Sequence, residues 1–145
     1  MKILVINGPN LNRLGKRKAE HYGTMTLDDL MEMIRAHAKA LKVEVEFFQS
    51  NHEGAIIDVI HTCEDQYEGV VINPGAFTHY SYAIRDAIES VSVPFVEAHL
   101  SDIKNRESFR SISVTAPVCI EQIYGLKEMS YFKALDFLVE AKHAE

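Results

Sequence analysis

The sequence predicts an α/β fold, a parallel sheet with helices on both faces. Three observations carry that prediction. Short continuous apolar runs alternate with longer amphipathic segments, the runs end in Asn, Gly or Pro, and no linker, repeat or low-complexity stretch interrupts the rhythm. Strands separated by helices of about a dozen residues specify right-handed βαβ units, because a parallel strand needs a crossover connection.

Each element follows in order. "KILVIN" (2–7) stops at Gly8-Pro9 and reads as a central strand buried on both faces. Leu27, Leu30, Met31, Ile34, Ala38 and Leu41 recur at helical spacing behind Thr26, which with Asp29 makes a capping-box start. "VEVEFFQS" (43–50) alternates Val43, Val45 and Phe47 inward as a more exposed second strand, and "SNHE" after it reads as a cap for a helix through Ile56, Ile57, Ile60 and Cys63. "GVVIN" (69–73) is a third strand and "YAIRDAIES" a third helix. "VPFVEAHL" is a fourth strand, "SVTAPVCIEQI" carries a fifth, and "YFKALDFLVEAKH" closes as an amphipathic helix. The smallest doubly wound solution is a flavodoxin-like five-stranded sheet of order 2-1-3-4-5, spanning residues 1–145 as one domain.

A formal net charge of -6 argues against a nucleic-acid or anionic-membrane surface, since either would repel the protein's average field. Cys63 and Cys119 form no CxxC and read as reduced thiols. "MKILVING" is too short for a signal sequence and no run approaches a membrane span, so a cytoplasmic protein is expected.

Folds of this class bind ligands beyond the carboxyl ends of the strands, near the switch between strands 1 and 3. Strand 1 delivers "NGPNLNRLGKR" there, strand 3 "NPGAFTHYS" and strand 4 "EAHLSD". Asn7, Asn10, Asn12, Asn73, Thr78, His79, His99 and Ser101 are thereby expected to face one crevice. Turn chemistry alone also accounts for the Asn, Gly and Pro of these loops, so both readings stand.

Several chemistries do not fit. Lys16 is followed by Arg17 instead of Ser or Thr, which excludes a P-loop, and GxGxxG is absent. Asn7 and Asn73 stand where a phosphoacceptor domain has acids, and the first loop has no hydroxyl for a flavin phosphate. No HxxxH or His/Cys cluster suggests a metal. What remains is a neutral-to-basic crevice in which Arg17, Arg85, Arg106 and Arg110 are available to an anionic substrate, with histidines and one tyrosine to move protons.

The segments "LVINGPNLNRLG...YG", "NHEG", "VINPGAFTHYSYAIRDAI", "VEAHLSDIKNRESFR" and "SV...AP" resemble the signature segments of type II 3-dehydroquinate dehydratase across nearly the whole chain. The resemblance implies a single catalytic domain that dehydrates 3-dehydroquinate to 3-dehydroshikimate through an enolate, without metal or cofactor. It implies Tyr22 as the phenolate base, His99 as the general acid and Arg17 as the residue that lowers the tyrosine pKa. Asn73, His79, Asp86, Leu100, Ser101 and Arg110 match positions that hold the substrate. It also implies a homododecamer built as a tetramer of trimers.

Elementary chemistry agrees with these roles. A free tyrosine titrates near pH ~10, so a phenolate base needs a nearby cation, and Arg17 is a permanent one. Glu97 and His99 are two apart on a strand and share a face, so Glu97 is expected to orient the imidazole; a pairing of Glu97 with a neighbouring Arg is the other reading. Asn10 reads as an enolate stabiliser or as a loop brace. The chain departs from the family pattern at Lys18 and Ala19, where the family has an acid and a proline, and in "SISVTAP" and Asp102. Those departures motivate an alternative, a catalytically impaired sensor that binds a cyclitol carboxylate.

Overall fold

The computed structural model describes residues 1–145, with the side chain of Tyr22 outside the description. Five parallel strands, β1 (Lys2–Asn7), β2 (Glu44–Gln49), β3 (Gly69–Asn73), β4 (Phe95–His99) and β5 (Glu121–Tyr124), form one sheet of order β2-β1-β3-β4-β5. The flavodoxin-like order read from the sequence is the one observed.

Strand periodicity decides which face each residue serves. Ile3 and Val5 of β1 join a core closed by helices α2 (Leu27–Ala40) and α5 (Met129–His143) through Leu30, Ile34, Leu135 and Leu138. Leu4 and Ile6 point the other way, into a core closed by α3 (Glu53–Thr62) and α4 (Tyr82–Glu89) through Ile56, Ile60, Ile84 and Ile88. Fully burying one such side chain contributes about 1.5 to 3 kcal/mol, so both faces of β1 hold it in the interior. Register then aligns Asn7 with Asn73 on one side and with Gln49 on the other, at the carboxyl edge of the sheet.

Side-chain caps start α2 and α4, at Thr26 and Ser81, but not α3 or α5. Thr26 Oγ1 accepts from the Asp29 amide and the Thr26 amide donates to Asp29 Oδ2, both at 3.1 Å, which is the expected capping box. The "SNHE" segment does not cap α3 as expected. His52 occupies the N-cap without a side-chain bond, and Glu53 instead accepts from Ser81 Oγ at 2.6 Å, tying α3 to the start of α4. Within the first loop, residues Ala19–Tyr22 form a short helix, α1, that ends at Gly23 with φ +74°. Four residues carry no apolar period, so the sequence pattern left this turn invisible. Among the described residues, no helix is long and apolar enough to cross a membrane.

Candidate active site

The cleft at the carboxyl edge is built by two turns that interlock. Gly8 donates its amide to the Asn73 carbonyl at 2.7 Å, and a Cβ on Gly8 would lie 2.6 Å from the Pro74 carbonyl oxygen. Reciprocally, Gly75 has φ +60°, and a Cβ there would lie 2.9 Å from the Pro9 carbonyl oxygen. Only glycine allows this approach, and the nesting brings Asn10 and Asn73 to one cleft. Asn10 itself adopts φ +71°, a left-handed conformation that asparagine tolerates, with its amide held by Asn51 Oδ1 at 3.0 Å.

Asn10, Arg17, Asn73, His79, His99, Leu100, Ser101 and Arg110 all line this cleft, joined by Arg106. Among the described residues, the lining holds three guanidinium groups and no carboxylate, although the chain as a whole carries a net charge of -6. Such a local field favours an anionic ligand. Ser101 Oγ accepts from Arg106 Nη1 at 3.3 Å, while Glu107 outside the cleft accepts from Arg110 Nε at 3.3 Å.

Each imidazole is fixed from behind. His79 Nδ1 lies 2.8 Å from the Ile112 carbonyl, which only accepts, so Nδ1 carries the proton and Nε2 is the other nitrogen. Burial, more than any neighbour, holds His79 below the usual histidine range. His99, on the last residue of β4, meets Glu97 Oε2 through Nε2 at 3.0 Å, leaving Nδ1 as its other nitrogen.

Glu97 is fully buried, and burial alone would raise its carboxyl. The donors around it outweigh that penalty and hold it below the usual carboxylate range: His99, Thr115, Gln122 at 2.8 Å and Ser113 at 2.9 Å. Thr78 completes the cage, with its hydroxyl 2.7 Å from both Ser113 and Thr115. The reading of Glu97 as a partner of a neighbouring Arg therefore gives way to the imidazole contact.

The backing set was not found from sequence. Gln122 is registered against Glu97 between β4 and β5, so placing β5 at residue resolution would have found it. Ser113 and Thr115 lie in a segment without strand periodicity, where no sequence signal points inward.

Other expectations fall elsewhere. Asn7 and Thr78 are buried beneath the cleft, and Asn12 is exposed on a separate groove beside Arg13 and Lys16. Asp86 stands exposed on α4 and does not line the cleft. The Tyr22 phenol lies outside the described groups, although its backbone ends α1. Among the described residues, no group of three or more His, Cys, Asp or Glu side chains is arranged to hold a metal ion.

A flavodoxin-like sheet with a cationic switch-point cleft and a carboxylate-backed imidazole defines the class first: an enzyme with a site suited to a small anion. Known proteins narrow it. The profile of the family described as Dehydroquinase class II matches residues 1–139, and the chain belongs to that family. It is 58% identical to a 3-dehydroquinate dehydratase of Bacillus cereus over 139 residues, covering 96% of this chain and 95% of the relative. The crystal structure of a type II dehydroquinase from Butyrivibrio crossotus superposes with a TM-score of 0.93 at 54% identity, covering 95% of this chain and 97% of that one. A type II dehydroquinase from Propionibacterium acnes gives a TM-score of 0.92 at 41% identity, covering 96% of each chain.

Proposed function

We propose that this hydro-lyase dehydrates 3-dehydroquinate in the cleft described above, with Tyr22 as base and His99 as acid. The observation that carries the reading is the cleft lining: among the described residues, three guanidinium groups, two imidazoles and no carboxylate, in a chain of the class II dehydroquinase family. The substrate's carboxylate meets Arg110 or its neighbours, and its hydroxyls meet Asn73, His79, Ser101 and the Leu100-Ser101 backbone.

In the first step the Tyr22 phenolate takes the proton from the carbon next to the ketone, and the electron pair of that C–H bond moves to the carbonyl oxygen. Asn10 donates to the resulting enolate oxygen, and Arg17 favours the phenolate before transfer. In the second step the enolate collapses, the carbon–oxygen bond of the departing hydroxyl breaks, and His99 supplies the proton with which it leaves as water. Tyr22 ends protonated and His99 deprotonated, so solvent resets both. Closure of the loop from Arg17 to Tyr22 excludes water and strengthens the interaction between Arg17 and the phenolate.

Asp86 does not line the cleft of its own chain, so a substrate contact from it would come from a second copy of the chain. Exposed Tyr80, Tyr82, Phe109 and Ile112 support self-association on that side, in keeping with the expected dodecamer. The decisive experiment follows the ultraviolet absorbance of the conjugated enone formed from 3-dehydroquinate. A rise proportional to enzyme concentration is expected, and no rise above background with folded protein would overturn the reading.

A further inference from the structure

Beneath the cleft runs a chain of buried hydrogen bonds that the proposed chemistry does not use. Tyr131, on the first turn of α5, is fully buried in the core, yet its hydroxyl reaches the ends of β1 and β3. It donates to Asn7 Oδ1 at 2.6 Å and accepts from Asn73 Nδ2 at 2.8 Å. Asn73 Oδ1 in turn accepts from the Gly75 amide at 3.0 Å. A hydroxyl buried without partners is strongly disfavoured, because nothing replaces the water it leaves, so both bonds matter to its being there at all.

The direction of this chain is dictated from one end. A backbone amide only donates, so the Gly75 N–H fixes Oδ1 as the atom Asn73 turns toward it. The Nδ2 group must then face Tyr131, whose oxygen accepts and whose single proton is left for Asn7. Burial pushes the Tyr131 phenol well above its usual value, so that proton stays in place. Asn7 accepts through Oδ1, as that polarity requires, and its Nδ2, at the far end, has no partner among the described residues. With Oδ1 held by Gly75 and one Nδ2 hydrogen taken by Tyr131, the second Nδ2 hydrogen is the donor that Asn73 retains, on a side chain lining the cleft.

We infer that Tyr131 is a positioning residue for substrate binding: its buried hydroxyl locks the Asn73 amide so that Asn73 acts as a hydrogen-bond donor to an oxygen of the ligand. The inference rests on the proposed reading of Asn73 as a substrate contact. Tyr131 touches no substrate; it sets which face of the amide the substrate meets. Because the lock acts on ground-state binding more than on the reacting atoms, its loss should appear in KM and not in kcat.

The test is steady-state kinetics on 3-dehydroquinate with four variants. Tyr131→Phe should raise KM about five- to tenfold, the worth of one neutral hydrogen bond, with kcat within about twofold of wild type. Asn73→Ala should raise KM at least as much, and Tyr131→Phe added to Asn73→Ala should raise it no further. Asn7→Leu, which leaves the Tyr131 oxygen free to accept from Asn73, should lower the melting temperature yet keep KM near wild type.

An unchanged KM in Tyr131→Phe, a fully additive double variant, or an Asn7→Leu KM raised as far as that of Tyr131→Phe would each overturn the inference. An unchanged KM in Asn73→Ala would overturn it through its premise that Asn73 meets the substrate. Absence of wild-type turnover would remove the proposed function and the inference together. Should Tyr131→Phe fail to fold, Asn73→Asp decides: it keeps the shape and accepts from both Gly75 and Tyr131 but has no hydrogen to donate, so a wild-type KM there would also overturn the inference.

Discussion

Glu97 and His99 stand two residues apart on β4 and meet at 3.0 Å, with the carboxylate fully buried and the imidazole at the floor of the cleft. One side chain thus meets only protein atoms, and the other lines the cleft. Glu97→Gln keeps the volume but places an amide nitrogen among groups that themselves donate. Turnover should fall about a hundredfold, in line with the loss of an oriented proton donor, while KM changes far less. Steady-state kinetics reads both, and a kcat near wild type would count against Glu97 as the residue that orients the acid.

The same carboxyl predicts an acid limb of stability. Its donors hold it below the usual carboxylate range in the folded protein, so the stability it contributes is present above that range and is lost as pH falls through the lowered value. Melting temperature should therefore decline on acidification, and Glu97→Gln should flatten the decline even though it lowers stability at neutral pH.

Cys63 predicts an alkaline limb. Burial alone pushes this thiol up to about 11, so the folded state prefers the neutral form. Below the ordinary thiol range both states are protonated and nothing is lost; as pH rises from that range toward 11, unfolded chains ionise first and stability falls. Cys63→Ala should make that slope shallower in urea titrations at rising pH, at the cost of a small cavity; burial also raises Cys119, which keeps part of it.

Gly75→Ala tests the interlocked turns. A left-handed alanine costs about 1 to 2 kcal/mol, and the 2.9 Å approach of its Cβ to the Pro9 carbonyl forces the two loops apart. Thermal denaturation should show a loss of at least that size, and KM should rise because Asn10 and Asn73 separate. Gly54→Ala, where an added Cβ meets nothing, is the control that should leave both unchanged or raise stability slightly.

Tyr22→Phe should abolish turnover while 3-dehydroquinate still binds, measured as protection against thermal denaturation. Near-wild-type kcat in this variant would refute the assignment of the base. Arg17→Lys separates charge from geometry: a lysine retains the cation but not the planar fork, so partial activity means that charge suffices.

Much of this was legible in the sequence because strong periodicity and turn chemistry agree. "KILVIN" and "GVVIN" are apolar on both faces, and their Asn-(Gly)-Pro endings marked the edge at which Asn10, Asn73, His79 and His99 meet. What stayed hidden depends on contacts between distant segments. The cage of Thr78, Ser113, Thr115 and Gln122 around Glu97 has no local period, and the α1 turn is too short to have one. Tyr131 reads as an ordinary apolar position of a closing helix until the distance from its hydroxyl to Asn73 is known.

The segment from Ile112 to Thr115 has a further consequence for motion. Its Ile112 carbonyl holds His79, its Val114 amide donates to the Thr78 carbonyl at 2.7 Å, and its Ser113 and Thr115 hydroxyls hold Glu97 behind His99. A local opening of these few residues releases both imidazoles at once. The two histidines accordingly belong to one cooperative unit, and the exchange rate of the Val114 amide with solvent should report the rate at which the support behind both imidazoles comes apart and reforms.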